Sequence, residues 1–300
     1  MSRSFTYTIE DEFDNVKIYD FLRHEAKLSY RLITSLKHLP LGIVLNGQHA
    51  RTIDRLNTGD VLAVNLAEDE NTSEPSQLYV PIIYDDEDVL VYDKPAGMNC
   101  HQSRRFQNDT LANVFAEYCN KNALPQLSFR CLTRLDKDSS GLVLLAKNQH
   151  AAALLKNVAQ KEYTALVCGV PSPPTGTIDA PISRVNEVYT KREVSPLGQS
   201  AVTHYELIKA SVDGRYSLVR LTLLTGRTHQ IRVHMAHIGC QLAGDDMYGG
   251  STELIARQAL HCGIMLFKSP ISQKEVNISA FLPKDIQNAI TTAKIYSNNE

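Results

Sequence analysis

Thr133-Arg134-Leu135-Asp136-Lys137-Asp138-Ser139-Ser140-Gly141 runs directly into Leu142-Val143-Leu144-Leu145-Ala146. The second stretch is a short apolar run preceded by turn residues, which predicts a buried strand. Asp136 therefore stands at the mouth of that strand, two residues beyond the cation Arg134. A carboxylate in such a place can be desolvated, fixed by neighbours and used as a nucleophile or a base. Taken alone the triplet Arg134-Leu135-Asp136 says little, because aspartates in turns most often bond nearby backbone amides.

Other segments follow in order along the chain. Lys94-Pro95-Ala96-Gly97 comes after the strand-like Val89-Leu90-Val91-Tyr92, and Lys161-Glu162-Tyr163-Thr164-Ala165-Leu166-Val167-Cys168-Gly169 comes after the motif. Gly176-Thr177-Ile178-Asp179-Ala180-Pro181-Ile182-Ser183-Arg184 is next, then Thr225-Gly226-Arg227-Thr228-His229-Gln230-Ile231-Arg232-Val233-His234. Gly244-Asp245-Asp246-Met247-Tyr248-Gly249 and Ala259-Leu260-His261 complete the set. Together these segments, over residues 80–285, resemble the RluA family of RNA pseudouridine synthases. Two positions depart from the family pattern: Thr133 stands where a His usually precedes the triplet, and Ser139 replaces a usual Thr.

The resemblance implies that Asp136 is the catalytic carboxylate and that Tyr163 stacks on the uracil, its phenol assisting loss of the C5 proton. It implies that Arg232 ion-pairs with Asp136, and that Arg134 fills the space left by a flipped base. Arg227 and His229 are expected to contact RNA, and Leu260 to wall the uracil pocket. The reaction breaks the bond from uracil N1 to ribose C1′ and rejoins the base through C5, with no cofactor. Whether the carboxylate attacks carbon or removes a ribose proton is open at this level.

Two rival readings have stated requirements. A catalytically silent RNA-binding protein would be favoured if Asp136, Tyr163 or Arg232 were missing, and all three are present. A carboxylate-dependent nucleoside hydrolase needs a second carboxylate to activate water, with Asp138 the nearest in sequence.

Composition sets the wider limits. Three hundred residues, 43% hydrophobic, suit one large domain plus a small one. No apolar stretch approaches the roughly 20 residues of a membrane span, and the start lacks a signal-peptide pattern. A cytoplasmic, monomeric protein with no membrane association is expected. Six scattered cysteines argue against zinc ribbons and disulfide frameworks. His229, His234 and His237 lack the spacing of a helical zinc site, and Asp245 and Asp246 read as turn residues, so no metal is expected. Net charge is −2, so an RNA partner, ribosomal or transfer, must be met by a local basic face.

The expected fold class is α+β, with a mixed, mainly antiparallel sheet in the catalytic domain. Residues 1–66 resemble the S4 RNA-binding module, with Arg23, Lys27, Arg31 and Lys37 as its phosphate-contacting face and Ser29 capping a helix. Residues 67–77 are acidic and polar, a linker. The catalytic domain is expected over 78–285 and a C-terminal tail over 286–300. Helices are predicted at Leu111–Tyr118 and His150–Ala159, and a short one capped by Thr228 and ending near Gly239, with Ile231, Met235 and Ile238 on its apolar face.

Overall fold

A computed structural model describes residues 3–66, 73–103, 106–125, 127–156, 158–186 and 190–295. The first 66 residues build their own core. Strand β1 (Ser4–Thr8) precedes helices α1 (Ile18–His24) and α2 (Tyr30–Leu36), followed by β2 (Ile43–Leu45), β3 (Gln48–His49) and β4 (Val61–Asn65). Their sheet runs β1-β4-β2-β3. Strand β1 comes first and pairs with β4 at the edge. Ser29 caps α2 by accepting a hydrogen bond from the Leu32 amide, and Asn46-Gly47 makes the tight turn between β2 and β3. Phe21, Leu22, Leu32, Ile33 and Leu36 meet Ile43, Leu62 and Val64 in the interior.

The rest of the described chain centres on a ten-stranded sheet. Its strands are β5 (Ile82–Asp85), β6 (Val89–Lys94), β7 (Arg130–Cys131), β8 (Ser140–Ala146) and β9 (Gln160–Cys168). They continue with β10 (Thr175–Asp179), then β13 (Val202–Ala210) and β14 (Tyr216–Leu223), and end with β15 (Leu260–Lys268) and β16 (Glu275–Ser279). A separate hairpin pairs β11 (Ile182–Arg184) with β12 (Arg192–Val194). The main order is β10-β13-β14-β9-β15-β8-β6-β5, with β16 beside β15 and β7 beside β8. Every pairing is antiparallel except β15 with β8. This is the mixed, mainly antiparallel sheet that the missing crossover helices predict.

Strand β8 is buried along its whole length, as an unbroken apolar run should be. Leu142 and Leu144 join Val89 and Val91 on one side, while Val143 and Leu145 join Leu90 and Tyr92 beneath helix α3 (Leu111–Lys121) on the other. Asp136 is thus anchored to the most buried part of the sheet. Gly141 opens β8 at a φ of +114°, and a Cβ there would lie 2.2 Å from the Cys262 carbonyl oxygen. Only glycine lets β15 lie parallel to β8 this closely.

Several boundaries differ from the sequence reading. Helix α3 continues to Lys121, and α4 spans Gln149–Leu155, capped by Asn148 through the Ala151 amide. The expected boundary after residue 285 falls inside helix α6 (Lys284–Thr292), whose Ile286 and Ala289 pack with Leu166 and Tyr216. Part of the expected linker, 67–72, lies outside the described residues. Ser76, at its far end, is buried and donates to Asp109, and Asn113 of α3 donates to the Glu74 carbonyl. That half of the segment is attached to the catalytic domain by polar contacts that a count of its apolar residues does not reveal. All six cysteines are free thiols, four of them buried.

Candidate active site

The turn that carries Asp136 is held from below. Lys94, at the end of β6, is fully buried, and its ammonium donates to four backbone carbonyls: Pro95 (2.8 Å), Met98 (2.8 Å), Lys137 (3.1 Å) and Ser139 (2.7 Å). Two belong to the loop after β6 and two to the Asp136 turn, so one cation ties both loops together. Burial pulls its pKa down to about 8. Arg257 donates to the Asp138 carbonyl at 2.9 Å while its other nitrogens grip Asp285. Neither residue was assigned a role from sequence; the Lys94-Pro95-Ala96-Gly97 segment was the signal, since a lysine at the end of a mostly apolar strand must find acceptors when buried.

The two departures from the family pattern also serve the turn. Thr133 accepts a hydrogen bond from the Leu144 amide at 2.9 Å through its hydroxyl, and the Ser139 hydroxyl accepts from Gln258 at 3.3 Å. Both are buried. The Ser139 amide closes the turn onto the Asp136 carbonyl at 3.1 Å.

Above the turn lies helix α5 (Gln230–His237). Its N-cap is His229, in the left-handed conformation at φ 57°, and not Thr228. Gln230, whose side chain accepts from the Arg227 amide and the Thr225 hydroxyl and donates to the Val202 carbonyl, stabilises this start in place of a capping hydroxyl. Arg232 projects from α5 to Asp136 at 3.3 Å. Its stronger partner is Asp245, gripped in a fork at 2.7 and 2.8 Å. Asp245 was read as a turn residue from sequence, and its backbone does lie in a turn; its side chain, 1% exposed, is also part of this cluster. Burial works against the Arg232 charge, and Asp245 more than offsets this, raising its pKa.

His229 was expected to meet RNA. It stands beside the carboxylate, with Nε2 3.9 Å from Asp136 and Nδ1 2.9 Å from the Tyr248 hydroxyl. Burial lowers its pKa although Asp136 pulls the other way. The Tyr248 ring lies under the Arg232 guanidinium at 5.0 Å. Tyr248, like Asp245, escaped the sequence reading although both lie in a segment singled out there.

Tyr163 sits on β9, registered against Leu221 on one side and Cys262 on the other. It is 4% exposed and packs in the cluster that includes Leu135, Ile231 and Leu260. Burial pushes its phenol well above the ordinary value, and the neighbouring Cys262 thiol and the Asp136 charge add to this. Leu260 is a buried core residue of this cluster, paired with Ala165. Arg134 is exposed, with no ion pair or hydrogen bond to its guanidinium among the described residues. Arg227 is exposed too, its Nε donating to the Ser200 carbonyl at 3.0 Å.

The three histidines do not converge. Both ring nitrogens of His234 are hydrogen-bonded within the fold, to the Thr203 hydroxyl and the Ala180 carbonyl. Among the described residues no group of three or more His, Cys, Asp and Glu is placed to hold a metal ion. Arg23, Lys27, Arg31 and Lys37 are all exposed on the amino-terminal unit, with Arg23 donating to the Leu28 carbonyl and Lys27 to the His24 carbonyl. No described helix is long and apolar enough to cross a membrane.

The site thus sets Asp136 against Arg232, close enough to the buried Tyr163 for its charge to raise the phenol's pKa. Residues 88–237 match the family described as RNA pseudouridylate synthase. The chain is 36% identical over 273 residues to the uncharacterized RNA pseudouridine synthase YjbO of Bacillus subtilis (strain 168), covering 89% of this chain and 95% of that protein. It is 35% identical to ribosomal large subunit pseudouridine synthase D of Escherichia coli O6:H1, over 81% of this chain and 80% of that one. The solved structure of human RNA pseudouridylate synthase domain containing 4 shares the fold, with a TM-score of 0.58 and 23% identity over 73% of this chain and 94% of its own. The chain belongs to the RNA pseudouridylate synthase family, of the RluA type, and is an RNA-modifying isomerase.

Proposed function

We propose that this enzyme converts particular uridines of ribosomal or transfer RNA to pseudouridine, with Asp136 as the catalytic carboxylate. The observation that carries the reading is Asp136 itself, partly open at the cleft, held by Arg232 at 3.3 Å and facing the Tyr163 cluster. An ion pair keeps the carboxylate charged and aimed. The flipped uracil lies on Tyr163, which retains it after the N1–C1′ bond breaks and assists departure of the C5 proton. Arg134, exposed and unpaired, enters the space the base leaves; a planar guanidinium can both stack and hydrogen-bond there. Arg227 contributes positive charge to the RNA-facing rim.

The hydrolase alternative needs a free second carboxylate. Asp138, the carboxylate that reading named, has no hydrogen bond or ion pair to Asp136 or Arg232 among the described residues, and the carboxylate that does join Arg232, Asp245, has both its oxygens bonded to that arginine. The amino-terminal unit is read as an S4-like module that presents Arg23, Lys27, Arg31 and Lys37 to phosphates. The enzyme is read as a monomer that meets its RNA in the cytoplasm. The test is incubation with unmodified ribosomal and transfer RNA transcripts, followed by chemical mapping of pseudouridine. Conversion of discrete uridines is expected; no pseudouridine in either RNA class would overturn the substrate assignment.

A further inference from the structure

The segment Gly176–Arg184 stood out in the sequence and has no part in the chemistry above. It leads into the hairpin of β11 and β12, whose register sets Arg184 directly across from Arg192. Like charges opposed on neighbouring strands destabilise the pair. Among the described residues neither guanidinium has an ion pair, and the Nη1 of Arg192 is buried with no hydrogen-bond partner. Burial, and then the charge of Arg184, lower the Arg192 pKa. A buried donor without an acceptor costs the folded state, so its retention calls for an acceptor that arrives later.

The hairpin is tied to the catalytic cluster. The Arg192 amide donates to the Tyr248 hydroxyl at 2.9 Å, and that hydroxyl bonds His229, the neighbour of Asp136. The Lys191 ammonium lies 5.7 Å above the centre of the Tyr248 ring. Arg192 and Lys191 therefore border the site, with Arg184 across the hairpin from Arg192, while net charge is −2 for the whole chain. An anion bound here must be local to the reacting nucleotide.

We propose that Arg184 and Arg192, with Lys191 beside them, clamp the phosphodiester adjoining the target uridine. The proposal rests on Asp136 marking the reacting nucleotide. In RNA the anionic acceptor within one nucleotide of a ribose is its backbone phosphate, and two guanidinium forks match its oxygens. Bound phosphate satisfies the buried Nη1, neutralises the opposed charges and fixes the ribose over Asp136. Contacts of this type position without reading sequence, so the clamp serves any target uridine the enzyme accepts.

The test uses a stem-loop RNA with a single loop uridine, whose dissociation constant is measured across a salt series for wild type, Arg184→Gln, Arg192→Gln and the double variant. Each single substitution should weaken binding about tenfold. Because both arginines hold one phosphate, the double variant should lose about one unit of salt slope in total, not two. Thermal midpoints should stay level or rise, since the repulsion is gone. Unchanged affinity and slope, a slope loss of two, or a fall in midpoint accompanying the lost affinity would each overturn the clamp. Pseudouridine formation by wild type and Asp136→Asn on a ribosomal RNA transcript is run alongside. Loss of Asp136 dependence sinks the reading of the site, whereas Asp136-dependent chemistry with unaltered arginine variants sinks the clamp alone.

Discussion

Arg232 gives its Nε and Nη2 to Asp245 at 2.7 and 2.8 Å and its remaining Nη1 to Asp136 at 3.3 Å, so the buried aspartate aims the arginine at the partly exposed one. Removing Asp245 would leave a buried guanidinium without its fork. Asp245→Ala should lose about 3–5 kcal/mol of stability by denaturant unfolding, the cost of breaking a buried pair. Asp245→Asn keeps the shape and part of the hydrogen bonding. It should lose less stability and still slow turnover, because Arg232 is no longer held by charge. Full activity in Asp245→Asn would show that the aim of Arg232 is irrelevant.

Lys94 carries a pH dependence whose sign differs between loop and fold. Its pKa falls from 10.5 to about 8 on burial, so the native protein binds this proton less tightly than the unfolded chain does. Below about pH 8 both states are protonated and the group adds no slope; between about 8 and 10.5 the unfolded chain binds more protons, and this group alone makes stability rise with pH. The loops respond the other way, since a neutral amine has two N–H groups, not three, to share among four carbonyls. Single-turnover activity should decline above about pH 8 with no matching drop in the unfolding midpoint from this group. Activity that stays flat through that range would remove Lys94 as the tie between the loops.

For Tyr163→Phe the ring and its packing survive and the hydroxyl does not. Chemistry should slow by about 10²-fold in single turnover while the RNA dissociation constant holds. Full single-turnover activity in Tyr163→Phe, with loss only in Tyr163→Leu, would mean that only the ring matters and that the phenol takes no part in proton transfer.

The amino-terminal unit meets the catalytic domain through a few groups. Arg3 forks onto buried Asp88 at 3.1 Å to each oxygen, and Phe5 packs edge-on against His150. Asp88 also accepts from Asn148 at 2.8 Å, so it is not stranded when the unit is removed. Deleting residues 1–66 should leave a folded catalytic domain with weaker RNA binding or broader site choice. An unchanged affinity and modification profile on ribosomal and transfer RNA would refute an RNA-holding role for Arg23, Lys27, Arg31 and Lys37.

The sheet was legible because its strands are patterned by burial: the unbroken run of β8 could only be a central strand. Asp136, Tyr163 and Arg232 were legible through motifs, and the structure brings Arg232 to Asp136 and places Tyr163 in the cluster with Leu135. What escaped were groups whose role depends on partners distant in sequence. Asp245 looks like any aspartate after a glycine until Arg232, thirteen residues away, folds onto it. Lys94 looks like a surface cation until four carbonyls surround it. Thr228 has the chemistry of a cap, yet the side chain of Gln230 holds the loop through the Arg227 amide and the N-cap is His229. The end at residue 285 failed because α6 buries only one narrow face, Ile286 and Ala289, which is faint in so polar a segment.

The central claim is that the Asp136 carboxylate performs the chemistry, and Asp136→Asn tests it with almost no change in volume. The measurement is single-turnover pseudouridine formation at saturating enzyme on a transcript the wild type modifies, with the RNA dissociation constant measured alongside. The expected result is no detectable pseudouridine and an affinity close to wild type. Pseudouridine formed at a near-normal rate by Asp136→Asn would contradict the assignment.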